Sequence, residues 1–140
     1  MLHTGASVSA MVKEVVRTSG APSPIGPFSQ AAKVANFVYV AGQGGQDPKT
    51  NRLVEGTIRE QTRQTLENIK NILGASGASL EDVVQVRVFL KDSQDFKTMN
   101  EVYSTYFPRD PPARTTVVTR FVVEGMLVEI DALAHIEQRS

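Results

Sequence analysis

The sequence is poor in the side chains that most often carry catalysis and metal binding. Its 140 residues include no cysteine, no tryptophan and only two histidines, His3 and His135. Without thiols the chain can form no disulfide, iron–sulfur centre, Cys-rich zinc site or thiolate nucleophile. The two histidines do not have metal-ligand spacing, and no Ser-His-Asp set is evident. We therefore expect no metal site.

The chain also lacks an excess of charge of either sign. It has 15 Lys+Arg against 15 Asp+Glu, interspersed along the sequence. Proteins that bind nucleic acid generally present a basic stripe, so a nucleic-acid partner is not expected. No apolar run approaches the roughly 20 residues of a membrane span, and the first ten residues lack the pattern of a signal peptide. These absences predict a cytoplasmic protein with no membrane association.

The length predicts a single domain. A chain of this size removes roughly 68–70% of its unfolded surface from water, which is enough for a core without disulfides or metals. Residues 1–12 are small and weakly patterned, and we interpret them as a disordered leader. Residues 13–140 contain no repeat and no linker, and we assign them to one domain.

The first third of the domain reads as short strands around a loop and a turn. Residues 13–18 have a β-rich centre, and residues 19–27 are too rich in Gly and Pro for regular structure. Two β-prone runs, 30–34 and 37–41, then predict a hairpin that ends at Gly42-Gln43-Gly44-Gly45. This glycine run lacks the Lys-Ser/Thr of a P-loop and the spacing of a dinucleotide fingerprint. We interpret it as a bulge or a close backbone contact, with phosphate binding as the lesser alternative.

The rest of the domain alternates helices and strands. Apolar residues recur every three or four positions over 56–74 and over 93–106, which predicts two helices. The second helix carries the aromatic residues Phe96, Tyr103 and Tyr106, which we assign mainly to core packing. Alternating patterns predict strands over 83–90, 113–121 and 126–136. This order predicts an α+β fold, a mixed sheet with two helices on one face.

The face of that sheet opposite the helices needs a cover. Its positions mix Val, Phe and Leu with Arg, Thr and Glu, a composition too apolar for free solvent and too polar for a core. We expect an oligomer that buries these faces together and lines pockets from two subunits, with a solvated face as the alternative.

Arg114 and Glu129 are the best candidates for a reactive site. If the last two strands pair antiparallel through the turn at Glu124-Gly125, the two residues come roughly opposite each other. The planar fork of an arginine suits a substrate carboxylate, and a carboxylate beside it would position or activate water. A purely structural Arg–Glu pair on the sheet remains the alternative at this point.

Five segments in order resemble the Rid (YjgF/L-PSP) family of reactive-intermediate deaminases, and the resemblance runs from about Val16 to Ile136. They read IGPFSQA from Ile25, VAGQ from Val40, NEVYSTYF from Asn100, PARTTV from Pro112 and VEIDALA from Val128. The resemblance implies a chorismate mutase-like fold and a homotrimer with ligand sites between subunits.

The resemblance also implies a reaction and roles for particular residues. Arg114 would bind the substrate carboxylate, Glu129 would orient the hydrolytic water, and Thr116 would present a backbone carbonyl near the substrate nitrogen. We take Ala41 and Gly42 as further substrate-binding positions, and Phe28 and Phe96 as candidate pocket walls with plain core packing as the alternative for each. The reaction is hydrolysis of a 2-imino acid such as the tautomer of 2-aminoacrylate, a product of pyridoxal-phosphate enzymes, to a 2-keto acid and ammonia. It requires no cofactor.

Three positions depart from the family pattern. Phe28 stands where active members have Tyr, Ala41 where they commonly have Ser, and Thr116 where Cys or Asn is frequent. A pocket without two hydroxyls is expected to be more apolar and to prefer another imino acid or to act slowly. A non-catalytic module that binds a small carboxylic or keto acid is therefore the main alternative. An endoribonuclease or translation inhibitor is a third possibility, disfavoured by the neutral charge and scarce histidine.

Overall fold

The computed structural model describes residues 12–137, so the predicted leader lies outside the described residues except for Val12. Six strands and two α-helices follow in the predicted order, with short 3₁₀ turns at Leu80–Asp82 and Ser93–Asp95. The elements are β1 Glu14–Val16, β2 Ala31–Val34, β3 Phe37–Gln43, α1 Ile58–Ala75, β4 Val83–Leu90, α2 Phe96–Tyr106, β5 Ala113–Val118 and β6 Val128–His135. The predicted strands at 113–121 and 126–136 are thus shorter than their sequence patterns indicated.

The strands form one sheet in the order β1-β2-β3-β6-β4-β5. Every neighbouring pair is antiparallel except β4 and β5, which run parallel. A parallel pair needs a crossover connection, and α2 supplies it. The predicted mixed sheet is therefore confirmed.

The expectation that the last two strands pair with each other is wrong. β4 lies between β5 and β6 and pairs with both. Residues 119–127 are long enough to carry the chain across the end of β4, so adjacency in sequence does not produce a hairpin here. The backbone of Thr119 donates to the carbonyl of Leu90 at 2.9 Å, which keeps the chain beside β4 beyond the end of β5.

The helix α1 begins at a capping box. The Glu60 side chain accepts a hydrogen bond of 2.7 Å from the backbone N–H of Thr57, and the Thr57 hydroxyl accepts from the backbone of Arg59. This reciprocal pairing satisfies donors that a helix start would leave free. The apolar stripe of α1 packs on the sheet, and its buried hydrophobic residues are Ile58, Leu66, Ile69, Ile72 and Leu73.

Both helices cover the same face of the sheet, as predicted, and the core lies between them and the strands. The core side chains of the two central strands alternate along each strand and are almost fully buried, namely Val86, Val88, Leu90, Val128, Ile130, Ala132 and Ala134. Within residues 12–137, neither helix combines the length and hydropathy needed to cross a membrane.

A β-bulge interrupts β3 where the sequence predicted a bulge or close packing. Val40 lies opposite Ala132 and Gln43 lies opposite Ile130, so Ala41 and Gly42 together face a single residue of β6. The extra residue turns Gln43 inward, where it is buried, and leaves Gly42 exposed. The bulge therefore brings a glycine to the sheet face that the helices do not cover, which is called the open face below.

Candidate functional site

Arg114 lies at the start of β5 and points to the helix side of the sheet. Its register partner on the parallel strand β4 is Val86, which is buried in the core, and directly opposed residues of a parallel pair share one face. The side chain reaches the rings of α2, and its guanidinium carbon is 5.7 Å from the ring centre of Phe96 and 4.8 Å from that of Tyr103. Both distances lie within the range of cation–π contacts.

Tyr103 is the residue of this cluster that sequence reasoning missed, because its position on the helix stripe indicated only core packing. It is 6% exposed, and burial raises the pKa of its hydroxyl, an effect that the charge of Arg114 opposes. By distance and angle the hydroxyl makes no hydrogen bond within residues 12–137, although the Arg114 guanidinium lies close enough to interact with it and counteracts the rise in its pKa. Only the register of β5 against β4, which the sequence did not reveal, places an arginine against this ring.

Glu129 lies on β6 between Val128 and Ile130, which are both fully buried in the core, and therefore points to the open face. Its side chain covers the bulge, where a Cβ added to Gly42 would meet Glu129 Cδ at 2.9 Å. Burial, and next the charge of Asp131, raise the pKa of Glu129 above its ordinary value. A carboxyl group with a raised pKa is suited to accept and return protons closer to neutral pH.

A charged pair lies beside Glu129 on the open face. Arg87 of β4 lies opposite Asp131 of β6 and donates to its carboxylate through Nε at 3.0 Å and through Nη2 at 2.7 Å. The Asp131 side chain is only 19% exposed, whereas that of Arg87 is 62% exposed. The pair neutralises the carboxylate nearest in sequence to Glu129.

Arg114 and Glu129 consequently lie on opposite faces of the sheet. Glu129 opposes Phe89 of β4, whereas Arg114 opposes Val86 of the same strand, so the two are also three positions apart along β4. The predicted cross-strand meeting of these residues within one chain does not occur. Both residues can contact one ligand only if the ligand lies between two chains, with Arg114 from one chain and Glu129 from the other.

Three of the remaining predicted positions lie beside Arg114 or beside Glu129. Thr116 is half-buried on the same side as Arg114, because its partner Val88 is a core residue. Phe96 begins α2, is 45% exposed and contacts Arg114. Ala41 lies in the bulge and donates through its backbone N–H to the Gln30 carbonyl at 2.9 Å.

Phe28 lies elsewhere, in the loop before β2. It is 49% exposed and lines a shallow concavity of about 420 Å³ with Arg17, Pro24 and several hydroxyl residues. Neither Arg114 nor Glu129 lines this concavity. Gln30 fixes the loop, because its side-chain amide bonds the backbone of Thr18 and the carbonyls of Ala21 and Pro22.

A groove of about 900 Å³ lies between the end of α1 and the segment that follows α2. None of the predicted site residues lines it. Over residues 12–137, no group of three or more His, Asp or Glu side chains is placed to hold a metal ion.

The open face carries exposed apolar side chains around the charged pair. Phe37, Tyr39 and Val117 are 39%, 50% and 44% exposed. Large exposed apolar patches commonly mark interaction surfaces. The predicted mixture of apolar and charged side chains on this face is confirmed.

Comparison with known proteins gives a consistent family match. The family model described as endoribonuclease L-PSP matches residues 18–136. A RutC family protein from Pyrococcus horikoshii is 53% identical over 126 residues, which are 90% of this chain and all of the relative. A mouse protein named 2-iminobutanoate/2-iminopropanoate deaminase is 41% identical over 127 residues, covering 91% of this chain and 94% of the relative.

Solved structures agree with the sequence matches. The crystal structure of Escherichia coli TdcF with bound serine superposes with a TM-score of 0.84 at 32% identity. The match covers 89% of this chain and 99% of that protein. The α+β fold implied by the sequence resemblance is therefore confirmed.

Proposed function

The chain belongs to the endoribonuclease L-PSP family, also called the Rid family, and we propose that it hydrolyses 2-imino acids to 2-keto acids and ammonia. The mouse relative is named for this activity on 2-iminobutanoate and 2-iminopropanoate. The bound serine of the Escherichia coli relative is a small molecule with a carboxylate and a nitrogen on the adjacent carbon. These two relatives favour a small 2-imino acid as the substrate class.

The observation that carries the proposal is the unused guanidinium of Arg114. The described residues 12–137 contain two ion pairs, Arg59–Glu101 and Arg87–Asp131, and Arg114 belongs to neither. It is half-buried against two aromatic rings and has no carboxylate partner. A guanidinium held in this way can bind a carboxylate through two parallel charge-assisted hydrogen bonds.

Glu129 supplies the second function. Protonation of 2-aminoacrylate at its methylene carbon by solvent gives the iminium ion, whose carbon is electrophilic and whose nitrogen takes up the electron pair of the C=N bond when water adds. Glu129 accepts a proton from water as the water oxygen forms a bond to that carbon, and the resulting carbinolamine carries an amino group. Glu129 returns the proton to this amino group, the C–N bond breaks with release of ammonia as the C=O bond forms, and the Glu129 carboxylate takes up the hydroxyl proton and passes it to solvent, which leaves the 2-keto acid. Burial and the charge of Asp131 raise the Glu129 pKa and favour this exchange.

A homotrimer would complete the site. Because Arg114 and Glu129 face opposite sides of one sheet, we propose that each site combines Arg114 of one subunit with Glu129 of the next. The exposed apolar residues of the open face would be buried by the same association. Thr116, on the Arg114 side, would contribute its backbone carbonyl, and Ala41 and Gly42, on the Glu129 side, would bound the pocket. Phe96 and Phe28 remain proposed pocket walls.

The physiological source of substrate is proposed to be pyridoxal-phosphate enzymes of the cytoplasm that release 2-aminoacrylate or its homologues. Phe28 and Ala41 carry no hydroxyl, so the pocket is expected to favour imino acids with apolar side chains. The same absence of hydroxyls favours a second candidate function, binding of a small carboxylic or keto acid without turnover.

The test couples the purified protein to a dehydratase that generates 2-iminopropanoate from serine or 2-iminobutanoate from threonine. The release of 2-keto acid is followed with time. Arg114→Ala is expected to lower kcat/KM about 10- to 100-fold, the loss of one charge-assisted bidentate contact. Arg120→Ala, which removes an exposed arginine beyond the end of β5, is the matched control and should equal the wild type.

Three outcomes would contradict the proposal. Full activity of an Arg114→Ala trimer would remove the residue from the site. Binding of 2-ketobutyrate without turnover of either imine would select the binding module. Degradation of RNA by the wild type, lost in Arg114→Ala, would select the endoribonuclease.

A further inference from the structure

The guanidinium of Arg114 is held in place without an acidic partner. Among residues 12–137 no carboxylate pairs with it, so no ion pair inside the chain occupies its donors. An unpaired arginine usually samples many rotamers, and binding a ligand would then require this freedom to be lost. A residue that restricts Arg114 while leaving its donors free would assist ligand binding without touching the ligand.

Tyr103 meets this description better than Phe96 does. The Arg114 guanidinium carbon is 4.8 Å from the Tyr103 ring centre and 5.7 Å from that of Phe96. Tyr103 is 6% exposed, whereas Phe96 begins the helix and is 45% exposed. The ring of Phe107 lies 4.8 Å from that of Tyr103 and supports it from the core. The Tyr103 ring is therefore held in place by the core, whereas the Phe96 ring is partly exposed to solvent.

We propose that Tyr103 is a positioning residue for the ligand carboxylate, acting through the stack of its ring on the guanidinium of Arg114. The inference rests on the proposed function for the identity of the ligand. The stacked ring fixes the plane of the fork, so both parallel donors are presented together. The ring and not the hydroxyl has this role, because the hydroxyl has no hydrogen bond of good geometry to a described residue, although Arg114 lies close enough to interact with it.

The ring and the hydroxyl can be separated by two substitutions. Tyr103→Phe keeps the ring beside the guanidinium and removes only the hydroxyl, which makes no hydrogen bond of good geometry, so KM for 2-iminopropanoate should stay within about 2-fold of the wild type. Tyr103→Leu removes the ring, and KM should rise about 10-fold, within the range of a desolvated cation–π contact. The value of kcat should change less than about 3-fold, because the carboxylate is bound equally in the ground and transition states.

Two further variants control for damage to the core and for the second ring. Val102→Ala truncates a buried residue next to Tyr103 on the same helix and leaves both rings beside Arg114 in place, so its KM should equal that of the wild type. Phe96→Leu should raise KM less than about 3-fold, because that ring is more distant and exposed. Thermal unfolding and trimer mass are measured for each variant, and Tyr103→Phe keeps the test available if Tyr103→Leu does not fold.

The Nε–Hε resonance of Arg114 gives a readout that does not depend on catalysis. The resonance is assigned by its loss in Arg114→Lys. In the wild type and in Tyr103→Phe, its chemical shift should be displaced by the ring current of residue 103, and its relaxation should indicate a side chain that moves little. Both signatures should be absent in Tyr103→Leu and intact in Val102→Ala. If Tyr103→Leu is unfolded, Tyr103→Phe provides the test. An increase in KM of Tyr103→Phe together with loss of the ring-current displacement and of the restricted motion would overturn the inference.

The two proposals fail in different ways. Wild-type protein that turns over no imine would reject the proposed function, and the Arg114 resonance would still decide whether Tyr103 holds the guanidinium. Active wild-type protein with Arg114-dependent turnover and an unchanged KM in folded Tyr103→Leu would reject the Tyr103 inference alone. Equal KM increases in Tyr103→Leu and Val102→Ala would reject it as well.

Discussion

At the scale of single residues, a glycine sets the position of a proposed catalytic group. The carboxyl group of Glu129 lies over Gly42, in space that any side chain on Gly42 would occupy. Gly42 has an ordinary backbone conformation, so its lack of a side chain matters for space and not for flexibility. The sequence indicated the reason for a glycine in this run, but the partner that needs the space became visible only in the folded chain.

Gly42→Ala is therefore expected to separate activity from stability. The new Cβ would approach Glu129 Cδ to 2.9 Å, and the flexible carboxylate would move away at little cost to folding. We expect kcat to fall at least about 10-fold, as misplacement of a general base does, with a midpoint of thermal unfolding close to that of the wild type. Coupled deaminase kinetics and calorimetry measure the two effects.

Gly74→Ala is the control for that variant. A Cβ at Gly74, inside α1, would meet no atom within 4 Å. Replacing a helical glycine with alanine raises stability by roughly 0.5–1 kcal/mol, and activity should be unchanged. A Gly42→Ala protein with wild-type kcat would show that Glu129 does not need its observed position.

At the scale of elements, the pairing of β4 with β6 controls the charge environment of Glu129. β6 carries Asp131 on the same face, and β4 neutralises it with Arg87. The neighbouring β3 contributes the uncharged Gly42, and β4 contributes Phe89 directly opposite Glu129. Arg87 and Asp131 are thus the charged groups that these three strands place beside Glu129 on the open face.

This arrangement predicts a pH dependence of defined sign. Glu129 acts as a base only when deprotonated, so kcat/KM should rise with pH through its raised pKa. Arg87→Gln leaves the charge of Asp131 uncompensated, which raises the Glu129 pKa further and should displace the acid limb of the profile to higher pH. Asp131→Asn removes that charge and should displace the limb to lower pH. Profiles that coincide with the wild type would exclude this coupling.

At the scale of the whole molecule, one chain contains two incomplete halves of the proposed site. The half with Arg114 is backed by α2, and the half with Glu129 lies on the open face at the β3 bulge. A sheet of this thickness prevents the two side chains of one chain from reaching the same ligand. The proposed chemistry therefore needs an association of copies, which would also bury the exposed apolar residues of the open face.

Mixed trimers test this requirement directly. Arg114→Ala and Glu129→Gln homotrimers should each be nearly inactive. After unfolding and refolding of an equimolar mixture, a site is complete when Arg114 comes from one variant and Glu129 from the other, so about a quarter of wild-type activity should return. Each variant refolded alone is the control. An inactive mixture of assembled trimers would place both residues in a site formed by one chain.

The sequence by itself determined the element order, the mixed sheet covered on one face and the residues to suspect. These depend on hydrophobic periodicity, turn residues and motif resemblance, which are local properties of the chain. Arg114 and Glu129 were identified in this way, and the glycine run was correctly interpreted as a bulge or close contact. The strand ends at 121 and 126 were misplaced because alternation continues into irregular segments.

Only the tertiary structure decided which residues meet. The order β6-β4-β5 separates two strands that are neighbours in sequence, and this sends Arg114 and Glu129 to opposite faces. It also brings Arg114 against Tyr103 and Arg87 against Asp131, pairs 11 and 44 residues apart in sequence. Such contacts depend on strand order and register, which follow from the packing of the whole core, and no local pattern in the sequence encodes them.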